Sequence, residues 1–314
     1  MIIVDALQGI LSIMLMIAIG YILTEKGWLD EHIGQLFSKL MIYISLPALM
    51  ISNLMTTFDK KMLIDSKFGL LFPISIIFLS YGIGVIFSKA LRIPRERKGI
   101  FQALFALSNT IFIGLPVNMA VFGEKSVPYV MLFYASNTAF MWTIGVYGIS
   151  KSGGEGQHFQ FNKETFKKIL SPPLIAFIIT IFFIIFGIKL PVFIMSSCKY
   201  LGNLTTPLSM LFMGIVLHGI KIKDFRFKGD MIMVLLGRFL ISPLIAYFVL
   251  SFFPAPELMK KVFIMEAAMP AATQITIISQ AYKADYQYAM ILLGITIVSG
   301  LLLIPVYSVL ISLL

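Results

Sequence analysis

Uncharged stretches long enough to cross a bilayer recur from one end of this chain to the other, and no other feature constrains its fold as strongly. A helix crosses the ~30 Å hydrocarbon core with about 20 residues. Runs of that order without Asp, Glu, Lys or Arg are Ala6 to Thr24, Leu40 to Phe58, Phe68 to Ser88, Gly99 to Gly123, Ser126 to Ser150, Ile169 to Ile188, Tyr200 to Ile220 and Tyr286 to Leu314. Two more qualify if one charge each is admitted: Met231 to Pro256 with Arg238, and Val262 to Tyr282 with Glu266. The expected fold is all-α and integral to a membrane, with ten transmembrane helices, because a helix satisfies its own backbone groups in lipid. The alternating polarity of an outer-membrane barrel is missing. Only 13% of the 314 residues are charged, about half the usual share for a soluble domain. The first run is preceded by Asp5 and no basic residue, so a cleavable signal peptide is not expected there.

The formal charge of +10 raises the question of nucleic acid, and the placement of the charge answers it. Basic residues gather in alternate loops: Lys26, the cluster Lys89, Arg92, Arg95, Arg97 and Lys98, then Lys151, Lys163, Lys167 and Lys168, then Lys221, Lys223, Arg226 and Lys228, and Lys283. The intervening loops hold roughly half as many, and basic loops stay in the cytoplasm. The reading is a multi-pass protein of the cytoplasmic membrane with both termini outside and no nucleic-acid partner.

A shift of 160 residues brings landmarks into register. Pro47 meets Pro207, Gly27 meets Gly187, Ile93-Pro94 meets Phe253-Pro254, and Val146-Tyr147 meets Val306-Tyr307. Four coincidences at one offset imply a duplication: a first five-helix repeat over 1–150, a short cytoplasmic connection over 151–168, and a second repeat over 169–314. Five is odd, so the second repeat enters the membrane from the opposite side, the 5+5 inverted arrangement common among secondary carriers.

Such folds line their central site with discontinuous helices. Span 9 reads Glu266-Ala267-Ala268-Met269-Pro270-Ala271-Ala272-Thr273-Gln274, and its mid-span proline removes an N–H and clashes with the carbonyl four residues earlier. The offset carries Met269-Pro270 onto Asn109-Thr110 in span 4, so helices 4 and 9 are expected to break near the midplane and cross. Pro116 is a second candidate break point, and an ordinary kink is the plainer reading of either proline. Asn109 suits a broken end: its amide caps a freed N–H or reaches a carboxylate, and half-helix N-termini favour anions.

The stretch Asn109-Thr110-Ile111-Phe112-Ile113-Gly114-Leu115-Pro116 resembles the N-T-x-x-x-G-x-P signature of the auxin efflux carrier family, and Ala267-Ala268-Met269-Pro270 is similar to that family's A-A-(L/M)-P crossover. The resemblance implies scaffold helices 1, 2, 6 and 7, mobile transport helices 3–5 and 8–10, and elevator-type alternating access. It also implies a small organic anion as substrate, a monocarboxylate of the auxin type or a dicarboxylate such as malate or malonate. Residues expected to meet it are Asn109, Thr110, Gly114, Pro116, Met269, Pro270, Thr273, Gln274 and Asn137. A homodimer, the lipid bilayer and a co-transported proton complete the expected partners. A passive anion channel on the same fold is the alternative. The central loop is too short for the regulatory segment of the long-loop plant carriers, and Ser152-Gly153-Gly154 reads as a tether.

Two charges lie inside spans. A carboxylate at the depth of Glu266 costs about 2.5–3.5 kcal/mol on insertion scales, so it either exchanges protons during transport or pairs structurally with Arg238. Arg238 in turn faces an anionic substrate or serves that pair. Ser45 and Thr205, two residues before Pro47 and Pro207, are expected to bond the backbone at helix kinks. The single cysteine, Cys198, excludes a disulfide or a cysteine-based metal cluster within the chain, and His32, His158 and His218 are scattered. Gly123-Glu124-Lys125-Ser126 lacks the upstream glycine of a phosphate loop. No nucleophile elbow or carboxylate dyad is present, so neither an enzyme nor a cofactor is expected.

Overall fold

The computed structural model describes residues 2–58, 60–65, 69–153, 163–219 and 229–312, and everything regular in them is helical. In the first part of the chain α1 is Ile2–Glu25, α2 Glu31–Leu40, α3 Leu46–Thr57, α4 Lys60–Asp65, α5 Leu71–Ala90, α6 Arg95–Ala106, α7 Leu115–Phe122, α8 Val127–Phe140 and α9 Val146–Ser152. The remainder is α10 Lys163–Ile169, α11 Pro172–Phe186, α12 Val192–Gly202, α13 Thr205–His218, α14 Gly229–Leu236, α15 Ser242–Ser251, α16 Glu257–Ala267, α17 Gln274–Ala281 and α18 Tyr286–Ser312. The connection expected at 151–168 ends in α10, while its residues 154–162 lie outside the described residues, as do Lys67, Lys221, Lys223, Arg226 and Lys228.

Among the described residues six helical runs have the length and apolarity to cross a membrane: Gln8–Glu25, Glu31–Thr57, Leu71–Ala90, Val192–His218, Gly229–Ser251 and Tyr286–Ile311. Thr110–Phe122 and Pro172–Phe186 are shorter apolar helices. The chain is a multi-pass membrane protein. Its apolar residues are distributed accordingly: Leu11, Leu15, Phe78, Ile86, Phe182 and Leu302 face outward, where lipid replaces water as the solvent.

Several helices widen locally, and proline explains most of the places. Pro47, Pro116 and Pro243 each stand two residues beyond a π-helical turn, Met41–Ser45, Thr110–Gly114 and Gly237–Ile241 respectively. A proline ring collides with the carbonyl four residues back, and the wide turn moves that carbonyl aside. The carbonyl freed before Pro243 is Phe239 O, and the Tyr307 hydroxyl donates to it. The fourth π turn, Met141–Gly145, has no proline after it. Pro305 sits within α18 without ending it. Pro47 occupies the first turn of α3 and Pro207 the first turn of α13, as a kink requires. The expected hydroxyl partners are corrected: the buried oxygens of Ser45 and Thr205 have no hydrogen-bond partner.

Packing divides the helices into two groups. The helices α1, α3, α11, α12 and α13 pack on one another, with α13 along α1 and both α11 and α12 against α3. The helices α5, α6, α8, α9, α15 and α16 pack likewise, and α18 joins α6, α16 and α17. Between the groups run the contacts of α1 with α7 and α18, and the rings of Phe112 and Phe212 lie 4.8 Å apart.

Candidate functional site

In the second group two helices stop halfway. The helix α6 ends at Ala106 and Leu107 turns extended (φ −97, ψ 120), while α16 ends at Ala267 and the chain stays irregular until Gln274. Pro270 forces the second break, having no N–H to continue a helix. The two breaks cross as an antiparallel bridge of Ser108 with Ala271. Asn109 N–H donates to Pro270 O at 2.8 Å, and Ala272 N–H donates to Leu107 O at 3.1 Å. Backbone groups exposed by one break are thus satisfied by the other, which is what irregular backbone at membrane depth requires.

Side chains from other helices fix the crossing. Asn137 on α8 bonds both backbone groups of Ser108: its Oδ1 accepts from Ser108 N–H at 3.2 Å and its Nδ2 donates to Ser108 O at 2.9 Å. Thr296 Oγ1 on α18 accepts from Ala271 N–H at 3.2 Å. Arg238, fully buried on the π turn before α15, donates to Ala267 O at 2.7 Å, Met269 O at 3.1 Å and Phe105 O at 3.3 Å. Glu266 Oε1 accepts from Asn118 Nδ2 at 2.8 Å, and that nitrogen also donates to Gly114 O at 2.9 Å. A Cβ at Gly114 would lie 2.5 Å from both carboxylate oxygens, so only glycine lets the α7 run approach Glu266 this closely. Glu266 and Arg238 share no hydrogen bond or close ion pair; each bonds other groups, and the two attract each other at longer range.

Beside the crossing lies a cavity of about 360 Å³. Asn109, Thr110, Asn137 and Gln274 border it, together with Ser108 from the break itself. Gly114, Pro116, Met269, Pro270 and Thr273 do not; they are buried in the frame behind it. Asn137 reaches the cavity with its amide already spent on Ser108. Asn109 differs. Its Oδ1 accepts from Phe112 N–H at 3.1 Å, capping the start of the next helical run, which leaves Nδ2 buried and without a partner. Ser108 Oγ is likewise unpartnered.

The remaining wall comes from residues that motif reading passed over. Lys167 and Lys168 of α10 border the cavity, with Tyr43 of the first π turn, and Tyr134, whose hydroxyl lies 2.7 Å from Ser171 Oγ. Lys168 Nζ stands 4.7 Å from the centre of the Trp142 ring, another wall residue. Tyr134 was findable, three positions before Asn137 on one helical face. The lysines looked like topology signals only. Among the described residues no carboxylate borders the cavity.

The family of membrane transport proteins matches residues 5–308 of this sequence. The chain belongs to that family. An uncharacterized transporter of Methanocaldococcus jannaschii is 25% identical over 306 residues, covering 95% of this chain and 96% of its own. An uncharacterized transporter of Methanothermobacter thermautotrophicus is 26% identical over 318 residues, covering 98% of this chain and 99% of its own. As a membrane transport protein of the auxin efflux carrier type, the chain carries the two segments that first suggested the family, Asn109 to Pro116 and Ala267 to Pro270, in the two crossing breaks. The structure gives those motifs a physical purpose: Asn109 caps, Gly114 admits Glu266, and Pro270 breaks.

Proposed function

We propose that this membrane transport protein is a secondary active transporter of a small organic anion, an auxin-like monocarboxylate or a malate- or malonate-like dicarboxylate, across the cytoplasmic membrane. One observation carries the reading. The cavity at the crossing is bordered by two lysines and by the N-terminal ends of two helical runs at Thr110 and Gln274, and among the described residues by no carboxylate. Helix N-termini and ammonium groups both favour a bound anion, and the unpartnered Asn109 Nδ2 supplies a donor for a carboxylate oxygen.

The transport cycle in this reading is an elevator motion of ten spans in two inverted repeats, with both termini outside. Several features support it. Left-handed residues recur at the offset of 160, Gly27 (φ 73) with Gly187 (φ 67) and Gly123 (φ 75) with Lys283 (φ 56). Ends that must share one side of the membrane in a ten-span chain do meet: Glu25 with His218 at 2.7 Å, Arg97 with Asp285 at 2.7 Å, and Phe72 with Phe253 at 5.9 Å between rings. The two packing groups correspond to a scaffold of spans 1, 2, 6 and 7 and a transport body of spans 3–5 and 8–10. Glu266, fully buried with Oε2 unpartnered, is the group that would exchange a co-transported proton.

The test is counterflow in proteoliposomes with a panel of carboxylates. Saturable counterflow lost in Asn109→Ala, with normal insertion and purification, supports the reading. Single-channel currents would replace the carrier by a passive pore, and wild-type flux in Asn109→Ala would remove the cavity as the site. Glu266→Gln that keeps the full pH dependence of flux would remove the proton.

A further inference from the structure

Two helices broken at one crossing present four poles. The N-terminal ends at Thr110 and Gln274 border the cavity, and carbonyls at the C-terminal ends of α6 and α16 meet Arg238 on the π turn before α15. In carriers built this way, unwound carbonyls and half-helix C-terminal ends are where sodium ions or protons are coordinated. Here those carbonyls already have a cation. The guanidinium of Arg238 bonds Phe105 O in the last turn of α6, Ala267 O at the end of α16, and Met269 O in the break, at 3.3, 2.7 and 3.1 Å. It makes no ion pair among the described residues; Glu266, bonded by Asn118 on the α7 side, attracts it only at longer range. Arg238 is the largest fully buried side chain described. A buried charge of that size persists only where something of opposite sign compensates it; the two converging helix C-termini do so in direct contact.

We infer that Arg238 is a tethered cation that permanently fills the negative pole of the crossing in place of a bound alkali ion. Two consequences follow, the second resting on the transport reading above. Folding of the crossing is indifferent to sodium, since its carbonyls are never free to coordinate it. Anion binding is also indifferent to sodium, because the cation that offsets the C-terminal dipoles cannot dissociate, and the positive N-terminal pole is left uncompensated for cargo. Arg238 is therefore a positioning residue: it touches neither cavity nor cargo, and acts by holding Phe105, Ala267 and Met269.

The test uses full-length protein in detergent, followed by thermal unfolding, in choline, sodium or guanidinium chloride at equal low ionic strength, with urea as the neutral guanidinium isostere. Wild type should unfold at the same temperature in all four. Arg238→Ala should unfold lower and recover most of the loss with guanidinium but not with urea. In proteoliposomes the same variant should lose anion flux about tenfold or more, the scale expected from removing one nearby charge in a site of intermediate dielectric, and guanidinium should restore it. If Arg238→Ala does not fold, Arg238→Lys and the uncharged Arg238→Met replace it; Lys should lie well above Met in unfolding temperature. Stabilisation of wild type by sodium over choline, equal rescue by urea and guanidinium, or equality of Lys and Met would each overturn the inference. The unfolding results stand apart from transport: rescue by guanidinium in a protein that moves no carboxylate would keep Arg238 as assigned and reject the transport reading.

Discussion

Asn109 has two jobs in one side chain, and Asn109→Asp separates them. Its Oδ1 accepts from Phe112 N–H at 3.1 Å, while its Nδ2 is the unpartnered buried donor beside the cavity. Aspartate keeps the capping oxygen, and a carboxylate at a helix N-terminus gains about 0.3–1 kcal/mol from the dipole. Burying the new carboxylate costs about 2.5–3.5 kcal/mol at membrane depth, so the retained cap offsets only part of the loss and Asp should unfold below wild type. Alanine removes the cap and leaves Phe112 N–H buried without an acceptor, a single loss of about 1–3 kcal/mol. For cargo the two variants differ. An aspartate placed about 4 Å from a bound carboxylate repels it by about 4 kcal/mol at an effective dielectric near 20, which is roughly a thousandfold in affinity. Alanine loses only the donor, about 1.5–3 kcal/mol for a hydrogen bond to a charged group. The assays are unfolding temperature in detergent and carboxylate binding or counterflow on the same preparations. Asp should be the weaker binder of the two. An Asp variant that binds carboxylates as wild type does would refute the anion cavity; an Ala variant as stable as wild type would refute the capping role.

Replacing Lys167 and Lys168 together by Gln should raise the KM for the anion about tenfold while leaving unfolding unchanged, since both are exposed on α10; flux against substrate concentration at two salt concentrations checks this. Gly114→Ala sets a Cβ 2.5 Å from both Glu266 oxygens, and the displaced carboxylate should cost about 1–3 kcal/mol of stability, read as a lowered unfolding temperature that Glu266→Ala in the same chain partly restores. Tyr307→Phe strips the donor from Phe239 O and should destabilise by about 1–3 kcal/mol, whereas Tyr147→Phe at the equivalent position in the first half, exposed on α9, should leave the unfolding temperature unchanged. Asn137→Leu removes both bonds to Ser108 and should abolish flux together with stability.

The local chemistry of the chain was written in its sequence. Uncharged runs fix where helices form, because a segment in lipid must satisfy its own backbone groups. Pro270 marks a break, although a proline alone does not make one, as Pro305 within α18 shows, and the offset of 160 transfers that break to Asn109. The helical ends at Ala106 and Ala267 bear this out at the residue level. The offset also pairs the left-handed residues Gly123 and Lys283, while left-handed Arg92 has no such counterpart at Phe252 (φ −84).

What the sequence left open were facts about who meets whom across the bundle. Glu266 and Arg238, the two charges inside spans, invited pairing because an unpaired charge in a membrane is costly. Tertiary structure gave each a different answer, an asparagine for Glu266 and three carbonyls for Arg238. The carbonyls are invisible in sequence because every residue has one; only the crossing aims three of them at one point. Asn137 borders the cavity, yet its amide is consumed by Ser108, and Lys167 and Lys168 turned from topology signals into cavity wall once α10 folded beside the opening. Helices and breaks are decided by covalent and local backbone constraints within a few residues, and the sequence states those directly. The contents of a cavity are decided by packing among segments far apart in the chain, and that is settled only when the helices are assembled.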